Sequence, residues 1–476
     1  MAATVLPTTS ALADSQLLQD TTNMTRNRAG DSIGTAFASL SSGAAELPPQ
    51  YVTLKQKLCG GHENALLDGW NRLLHTLETE ILPQIQELGS KLVPEVNFSD
   101  IEANGGKLPK VIEEKLKTCG TLIVRGIVPR EQALQWKQQV RDYISSNPST
   151  GGFPANNIQV YETYWSKAQV AARSHPNMLA THRAMNNTWS VAPEDPIVLS
   201  EPLSYADRLR IRTPGDKSFN LGPHLDGGSL ERWEDTEYRK CYTEILNGNW
   251  EKHNAFDVTP RIKANPDIHH GPGGCSIFRS YQGWLSLSDC APGSGTLRVF
   301  PNLLTSTAYL IMRPFVKFEN GAWTVDDKSP NFQGAAMGAG QELNAEEHPH
   351  LIPPYFVCIP AVEPGDAVFW HCDVAHMVEP EHRGTEDGSI FYLPILPLCD
   401  INIAYLKDQK LSFEKGAPPP DFPGGVGETK HSERGQFDSI YPAGRPALGY
   451  GPFDVTLAKS EGEKIAYESA NKILGY

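Results

Sequence analysis

Apolar residues recur at intervals of three and four positions over residues 63–92, the spacing that places them on one face of an α-helix. The positions that share this spacing are Leu66, Trp70, Leu73, Leu74, Leu77 and Ile81. The run "GTLIVRGIV" at 120–128 has the length and apolar content of a buried strand, and Pro129 then opens a second helical pattern that continues to Ser146. These patterns predict a mainly helical lead-in over residues 46–150.

Beyond residue 150 the pattern changes to short β-like runs separated by Gly, Pro, Asn and Asp. Six runs are predicted strands: "RLRIRT" (208–213), "GWLSLSD" (283–289), "TLRVFP" (296–301), "AYLIMRPF" (308–315), "DAVFWHCD" (366–373) and "SIFYLPIL" (389–396). Many short strands with turn signals between them favour a sandwich, a jelly roll or a barrel over a doubly wound parallel sheet. A nucleotide-binding fold also loses support, because neither GxGxxG between a strand and a helix nor GxxxxGK[ST] occurs.

The remaining segments carry loop signals. Residues 234–275 and 318–353 are expected to be insertions that wall a pocket. Residues 401–476 are expected to form an irregular, Pro/Gly-rich C-terminal segment that ends in a closing helix. Residues 1–45, rich in Ser, Thr and Ala, predict a disordered tail, although Arg26 and Arg28 leave a targeting role open.

Charge and composition exclude several classes of partner. The 476 residues carry 42 Lys and Arg against 56 Asp and Glu, a formal net charge of −14 without a basic run, so neither nucleic acid nor an anionic membrane surface is expected. No stretch reaches the roughly 20 apolar residues of a membrane helix. The eight cysteines form no CxxC pair and predict free thiols in a reducing compartment. We therefore expect a cytoplasmic protein with a small-molecule partner.

A histidine and an aspartate two positions apart, His224 and Asp226, lie in "GPHLDGGS". On an extended backbone, residues i and i+2 point to the same side, so this imidazole and carboxylate can converge on one metal ion. A facial non-haem iron(II) site needs a second histidine, and "DAVFWHCDVAHMV" offers His371 and His376. His371 also begins a rival triplet, "HCD", but that cluster would take all its ligands from six consecutive residues. Because a jelly roll builds a metal site from strands distant in sequence, we favour His224, Asp226 and His376.

Four stretches in this order carry a family resemblance: "RIRTPGDKSFNLGPHLDGGS", "YQGWLSLSDCAPGSGTLRVFPN", "PGDAVFWHCDVAHMVEP" and "RGTEDGSIFYLPI". Together they resemble the iron(II)- and 2-oxoglutarate-dependent dioxygenase superfamily and its phytanoyl-hydroxylase-type branch. The chain is most similar to a little-characterised family of fungal and bacterial proteins, from about residue 50 to 460. In the superfamily the distal histidine commonly follows Gly-Asp by ten residues, and Asp366 plus ten is His376, which supports His376 over His371.

The resemblance implies the fold and its division. It implies an α+β protein whose double-stranded β-helix, a cupin-like jelly roll, carries N-terminal helices and large loop insertions. The jelly-roll core with its insertions would then occupy residues 151–400 of a single catalytic domain, 46–476.

The resemblance also implies Fe(II) as cofactor, with 2-oxoglutarate and O2 as cosubstrates. In much of the superfamily an arginine ten to fifteen residues after the distal histidine binds the far carboxylate of 2-oxoglutarate, with a Ser, Thr or Tyr beside it. Eleven residues after His376 this chain has Asp387. The expected cosubstrate residues are therefore Arg383 and Ser389, with Arg212 from the basic run. Other arginines near the motifs stay open as alternatives: Arg210, Arg279 and Arg298.

The implied activity is a dioxygenase that hydroxylates, desaturates or cyclises a small metabolite with release of succinate and CO2. The arginines near the motifs favour a carboxylate-bearing substrate. A second hypothesis is a non-oxidative, metal-binding cupin-like lyase or isomerase, or a regulatory pseudoenzyme. The displaced anchor arginine keeps this second hypothesis open.

Overall fold

A computed structural model describes residues 47–271, 274–422 and 425–476. The predicted tail, residues 1–45, lies outside the described residues. Thirteen α-helices run through the described part: α1 Gln50–Cys59, α2 Glu63–Thr76, α3 Leu82–Leu88, α4 Phe98–Ala103, α5 Lys110–Cys119, α6 Arg130–Ser146, α7 Lys167–Ser174, α8 Pro176–Asn186, α9 Glu231–Glu234, α10 Thr243–Leu246, α11 Leu303–Met312, α12 Asp400–Lys415 and α13 Glu461–Leu474. Where the sequence predicted a mainly helical lead-in, the described residues 47–150 contain six of these helices, α1 to α6, and two strands, Glu95–Asn97 and Thr121–Arg125.

Seventeen strands accompany these helices in the same described ranges: β1 Glu95–Asn97, β2 Thr121–Arg125, β3 Gly152–Phe153, β4 Val160–Tyr161, β5 Ile197–Leu203, β6 Leu209–Arg212, β7 His224–Leu225, β8 Tyr281–Ser286, β9 Leu297–Val299, β10 Val316–Glu319, β11 Ala322–Val325, β12 Gln341–Glu342, β13 Val357–Cys358, β14 Ala367–His371, β15 His376–Val378, β16 Gly388–Tyr392 and β17 Leu396–Cys399. The protein is therefore a mixed fold of helices and large sheets. Five of the six runs predicted as strands beyond residue 150 form strands.

The sixth run, 308–315, was wrongly predicted as a strand. It lies in α11 and the turn after it, and every residue of α11 except Leu304 is buried. A helix that is buried on all sides has no polar face, so its sequence lacks the periodicity that separates it from a buried strand. The Asn302 side chain caps this helix by accepting a hydrogen bond from the backbone N–H of Thr305 at 3.1 Å. The start of the C-terminal segment also differs from the expected irregular structure, because it forms α12.

Two sheets position the site. The larger has eight strands in the order β1-β2-β14-β8-β16-β6-β4-β3, and the smaller has five in the order β12-β7-β15-β9-β13. Consecutive strands alternate between the two sheets. β6 and β8 lie in the larger sheet, and β7 and β9 lie in the smaller. Likewise, β14 and β16 lie in the larger sheet, and β13 and β15 lie in the smaller. Side chains distant in sequence are thereby brought into register, and His376 pairs directly across from His224.

The sheets and the N-terminal helices share one core. A single cluster of buried apolar side chains extends from Leu47 in the lead-in to Cys399 at the end of the last strand. The C-terminal helices pack mainly on a second cluster, which includes Leu406 and Tyr467. All eight cysteines are free thiols. Within the described ranges, no helix has both the length and the apolar character needed to cross a membrane.

Candidate metal centre

Three side chains converge where β7 and β15 pair. One ligand atom from each of His224, Asp226 and His376 lies within 4.8 Å of the others. The Asp226 carboxylate lies between the two rings, with Oδ1 at 3.7 Å from Nε2 of His224 and Oδ2 at 3.3 Å from Nε2 of His376. Leu225, between the two residues of the triplet, is buried on the opposite side, as the alternation of an extended backbone requires.

Backbone carbonyls orient both imidazoles. Nδ1 of His224 lies 2.7 Å from the carbonyl oxygen of Gly222, and Nδ1 of His376 lies 3.0 Å from that of Val374. Because a carbonyl oxygen only accepts, each Nδ1 carries a proton and donates it, which leaves Nε2 of each ring facing Asp226. Burial, and then the neighbouring His376, lower the pKa of His224 to about 4, so this ring is neutral at physiological pH. A neutral imidazole with a free Nε2 atom is the form that binds a metal ion.

The carboxylate is also held in place and ionised. With its amide turned to satisfy both neighbours, Gln282 on β8 donates to Oδ2 of Asp226 at 2.7 Å and accepts from Nε1 of Trp370 at 3.1 Å. Burial alone would raise the pKa of Asp226. The hydrogen bond with His376 and the nearby charges outweigh burial, however, and keep the pKa well below its ordinary range. Gln282 of the larger sheet thus fixes the carboxylate of Asp226, which directly follows a strand of the smaller sheet.

Two glycines shape the turn after the triplet. Gly227 and Gly228 have φ values of 78° and 92°, a region that favours glycine. A side chain on Gly228 would also place its Cβ 2.6 Å from the carbonyl oxygen of Pro266. The double glycine of "HLDGGS" therefore lets the chain leave Asp226 in a tight turn beneath the insertion.

An open cavity lies in front of the three side chains. It has about 910 Å³ of empty space, including its mouth, and is lined by residues from both sheets. Its aromatic wall consists of Phe219, Trp284, Trp370 and Tyr392, and its cations are Arg208, Arg210 and Arg279. A cavity of this size takes a small molecule, and its wall combines apolar and aromatic side chains with charged and polar ones.

Arg210 on β6 is the buried cation of this cavity. It is 4% exposed, and its Nε has no hydrogen-bond partner in the part of the chain that the structure describes. Its guanidinium lies over the face of the Phe219 ring, 5.6 Å from the ring centroid. A buried charge normally has a partner of opposite charge. Its neighbour Arg208, in contrast, lies 3.3 Å from the carboxylate of Asp207.

The three expected cosubstrate residues lie away from the cavity. Arg212 is completely buried, but Asp216 at 2.9 Å and the carbonyl oxygens of Gly295 and Glu379 at 3.1 and 2.7 Å hold it. Its position on the inward face of the strand was therefore no sign of a ligand site, because the protein itself supplies its anions and acceptors.

Arg383 and Ser389 differ from the expectation for other reasons. Arg383 is exposed on a loop whose backbone N–H donates to Gly293. Ser389 is buried on the face of β16 opposite to the cavity-lining Tyr392, and its hydroxyl donates to the Asp387 carboxylate. Arg298, one of the alternatives, donates to the carbonyl oxygen of Phe356 at 2.9 Å and lies outside the cavity lining.

The rival cluster around His371 uses its donor atoms within the protein. Nε2 of His371 lies 3.0 Å from the carbonyl oxygen of Ala255, and Nδ1 accepts from the backbone N–H of Asp373 at 3.1 Å. The ring stacks on Trp189 at 4.7 Å, and Arg261 pairs with the Asp373 carboxylate. Both ring nitrogens are therefore occupied, which supports a structural role for this histidine.

Comparison with known proteins identifies the chain's relatives. The sequence profile of the Gig2-like family matches residues 45–450. The chain belongs to the Gig2-like family. An uncharacterized protein of Escherichia coli strain K12, YbiU, is 32% identical over 404 residues, which cover 81% of this chain and 93% of that protein.

Two solved structures share the fold of this Gig2-like protein. The GlcNAc Inducible Gene 2 protein of Candida albicans is 33% identical, with a TM-score of 0.84 over 91% of this chain and 96% of its own. A hypothetical protein of Escherichia coli is 30% identical, with a TM-score of 0.73 over 86% of this chain and 100% of its own. The relatives thus come from a fungus and a bacterium, in line with the family resemblance in the sequence.

Sequence analysis did not identify Gln282 as a site residue of this Gig2-like protein. Gln282 lies two positions before Trp284 on β8, so both side chains face the cavity. The period-two pattern of "YQGWLS" was the signal, but a lone glutamine in an apolar strand gives no hint of its partner. Its contact with Asp226 arises only when the two sheets face each other across the cavity.

Proposed function

We propose that this Gig2-like protein is an iron(II)- and 2-oxoglutarate-dependent oxygenase that oxidises a small metabolite, with His224, Asp226 and His376 as iron ligands. The observation that carries the proposal is the convergence of two imidazole Nε2 atoms and one carboxylate at the wall of a cavity. The same cavity is lined by a buried arginine, Arg210, that has no ion-pair partner in the described ranges. The placement in the phytanoyl-hydroxylase-type branch stays a prediction.

The donor set fits iron(II). Two imidazoles and one carboxylate, with no thiolate among them, match the ligand type of mononuclear non-haem iron sites that keep positions open for other ligands. The remaining ring nitrogens donate to backbone carbonyls, and Gln282 donates to the carboxylate. Such outer contacts fix ligand orientation in metal sites.

The strand order supports a double-stranded β-helix core. In this proposal, β6 to β9 and β13 to β16 are its eight strands, and each set of four alternates between the two sheets. Four of the strands, β6, β16, β8 and β14, are consecutive in the larger sheet, and the other four, β7, β15, β9 and β13, are consecutive in the smaller. The regularity of this arrangement separates the proposed core from the added strands at the sheet edges.

Arg210 is the proposed anchor for 2-oxoglutarate. Position 390, fourteen residues after His376, falls in the interval where related enzymes carry their arginine, but here it is Ile390. Arg210 pairs directly across from Ile390 on the neighbouring strand, and its side chain lines the cavity. A guanidinium can hold a carboxylate with two hydrogen bonds. The anchor would then enter the same space from β6 instead of β16.

The protein would bind and orient the reactants and would keep water away from them. Iron(II) bound with 2-oxoglutarate supplies the oxidising chemistry with O2. Arg210 would set the direction of the cosubstrate, while Trp284 and Trp370 exclude water from the cavity wall. Gln282 would keep the Asp226 carboxylate turned towards the metal and would not compete with it, since its amide nitrogen only donates.

The test uses the purified full-length protein. Anaerobic addition of iron(II) and 2-oxoglutarate is expected to produce a weak visible charge-transfer band, and oxygen is then expected to release succinate. His376→Ala should abolish both, whereas His371→Asn, a matched control in the neighbouring cluster, should retain the band. Metal binding without a band or succinate would refute the oxygenase and favour the non-oxidative cupin-like lyase or isomerase, or the regulatory pseudoenzyme.

A further inference from the structure

A second chamber adjoins the cavity on the other side of Asp226. It has about 430 Å³ of empty space, including its mouth, and shares Asp226 and Arg279 with the main cavity. Arg279 lies just before β8, at the end of the long insertion, so its guanidinium borders both spaces. A ligand in this chamber therefore lies beside Asp226, one of the three proposed iron ligands.

Arg279 lacks a protein partner. Among the residues that the structure describes, it makes no ion pair within 4 Å and no side-chain hydrogen bond, and it is only partly exposed. Arg261, the other arginine of the chamber, pairs with the carboxylate of Asp373 and so is already neutralised. Arg279 is thus the chamber cation that is free to bind an anion in the described part of the chain.

The rest of the chamber wall is mainly apolar. Ala264, Pro266, Ile277 and Phe278 form that part of the lining. A ligand that matches this wall has an anionic group at one end and a hydrocarbon body. The chamber volume limits that body to a small molecule.

We propose that Arg279 binds the carboxylate of the substrate, a small organic acid whose apolar body lies in this chamber. This inference rests on the proposed function, which assigns the carboxylate of 2-oxoglutarate to Arg210. Arg210 lines only the main cavity, whereas Arg279 also lines the chamber. These two arginines, neither of which has an ion-pair partner among the described residues, would then bind two different acids. Burying an unpaired guanidinium is unfavourable, and a bound carboxylate relieves that cost through two charge-assisted hydrogen bonds.

A different role for Arg279 is an electrostatic one. Its charge contributes to the lowered pKa of Asp226, although the hydrogen bond with His376 and the two imidazoles contribute more. If that were its whole role, removing the charge would leave acid binding in the chamber unchanged. Binding to a monocarboxylate probe separates the two roles.

The experiment measures binding of hexanoate and its neutral analogue hexanamide to the full-length protein without added metal, by ligand-observed NMR. We expect hexanoate to bind saturably and hexanamide to bind about tenfold or more weaker, because the amide lacks the charge that Arg279 recognises. Arg279→Gln should weaken hexanoate by about tenfold or more. Arg279→Lys should recover part of that loss because it restores the charge without the two-pronged geometry.

Two controls define the result. Lys263→Gln removes an exposed charge from the same insertion and should bind hexanoate as the wild type does. Arg210→Gln should lose 2-oxoglutarate binding but keep hexanoate binding. The proposal is overturned if hexanoate shows no saturable binding, if hexanamide binds as tightly, or if folded Arg279→Gln matches the wild type. If hexanoate binding depends on Arg279 but the protein shows no charge-transfer band, the proposed acid site is supported and the oxygenase proposal fails.

Discussion

Replacing Arg210 by methionine removes a buried cation that has no ion-pair partner among the described residues. A methionine has similar length and carries no charge to desolvate, so the main loss is the contact of the guanidinium with the Phe219 ring at 5.6 Å. Such a contact contributes about 2 kcal/mol or more when it is desolvated, whereas replacing buried charged groups with well-packed apolar residues of similar volume often stabilises by about 1–4 kcal/mol. We expect the free energy of unfolding to stay constant or to rise by about 1–2 kcal/mol.

Arg212 is the matched control, two positions along the same face of β6. It is 0% exposed and bound to Asp216 and two backbone carbonyls. Arg212→Met leaves the buried Asp216 carboxylate without its cation, which typically costs about 3–5 kcal/mol. Urea denaturation followed by tryptophan fluorescence measures both variants under identical conditions. Both substitutions replace arginine by methionine. The difference between their free energies of unfolding therefore reflects the interaction partners that each arginine loses.

Ligand binding supplies the second half of this prediction. Two charge-assisted hydrogen bonds of about 1.5–3 kcal/mol each would be lost from 2-oxoglutarate in Arg210→Met, so its Kd should rise by about 100-fold or more. Titration calorimetry with manganese(II) in place of iron(II) measures this change without turnover. The reasoning is refuted if Arg210→Met is destabilised as strongly as Arg212→Met and binds 2-oxoglutarate like the wild type.

Three further outcomes are expected. His182 is buried without a partner for either ring nitrogen among the described residues, and burial lowers its pKa to about 3. Its neutral form therefore stabilises the fold above pH 6.5, and at pH 5 that residue alone should lower the free energy of unfolding by about 2 kcal/mol. His182→Leu should remove this part of the acid sensitivity. The prediction is contradicted if the urea midpoints of the wild type and the variant fall by the same amount between pH 7.5 and pH 5. Gln282→Leu should weaken metal affinity by about 10–100-fold, as loss of an outer contact does, and an unchanged Kd by calorimetry would exclude its role in orienting Asp226. His371→Asn should leave metal affinity unchanged, and a loss as large as that of His376→Ala would restore the rival cluster.

The sequence predicted the three converging side chains because local rules determine most of their arrangement. The two-residue spacing of the triplet places His224 and Asp226 on one side of an extended backbone, and the ten-residue interval from Asp366 selected His376. The cosubstrate residues followed no such rule. Arg210 and Arg212 look alike along β6, but Asp216 pairs with Arg212 and the carbonyl oxygens of Gly295 and Glu379, more than eighty residues away in sequence, accept from it. Among the described residues Arg210 has no such partners. The buried helix α11 was missed because an apolar run with no polar face fits a strand equally well.

The proposed anchor illustrates how strand pairing could preserve a binding site while the residue that serves it moves along the chain. A carboxylate in the cavity can bind a guanidinium from either of two paired strands, because paired positions in one sheet place their side chains in nearly the same space. Ile390 lies in the interval where related enzymes carry the arginine, and Arg210 faces it across one ladder of hydrogen bonds. The absence of an arginine ten to fifteen residues after His376 therefore does not by itself argue against a 2-oxoglutarate site. A double substitution, Arg210→Ile with Ile390→Arg, would return the cation to β16 and should recover part of the 2-oxoglutarate affinity that Arg210→Ile alone loses. If it recovers none, the two positions do not serve the same carboxylate and the proposed anchor is wrong.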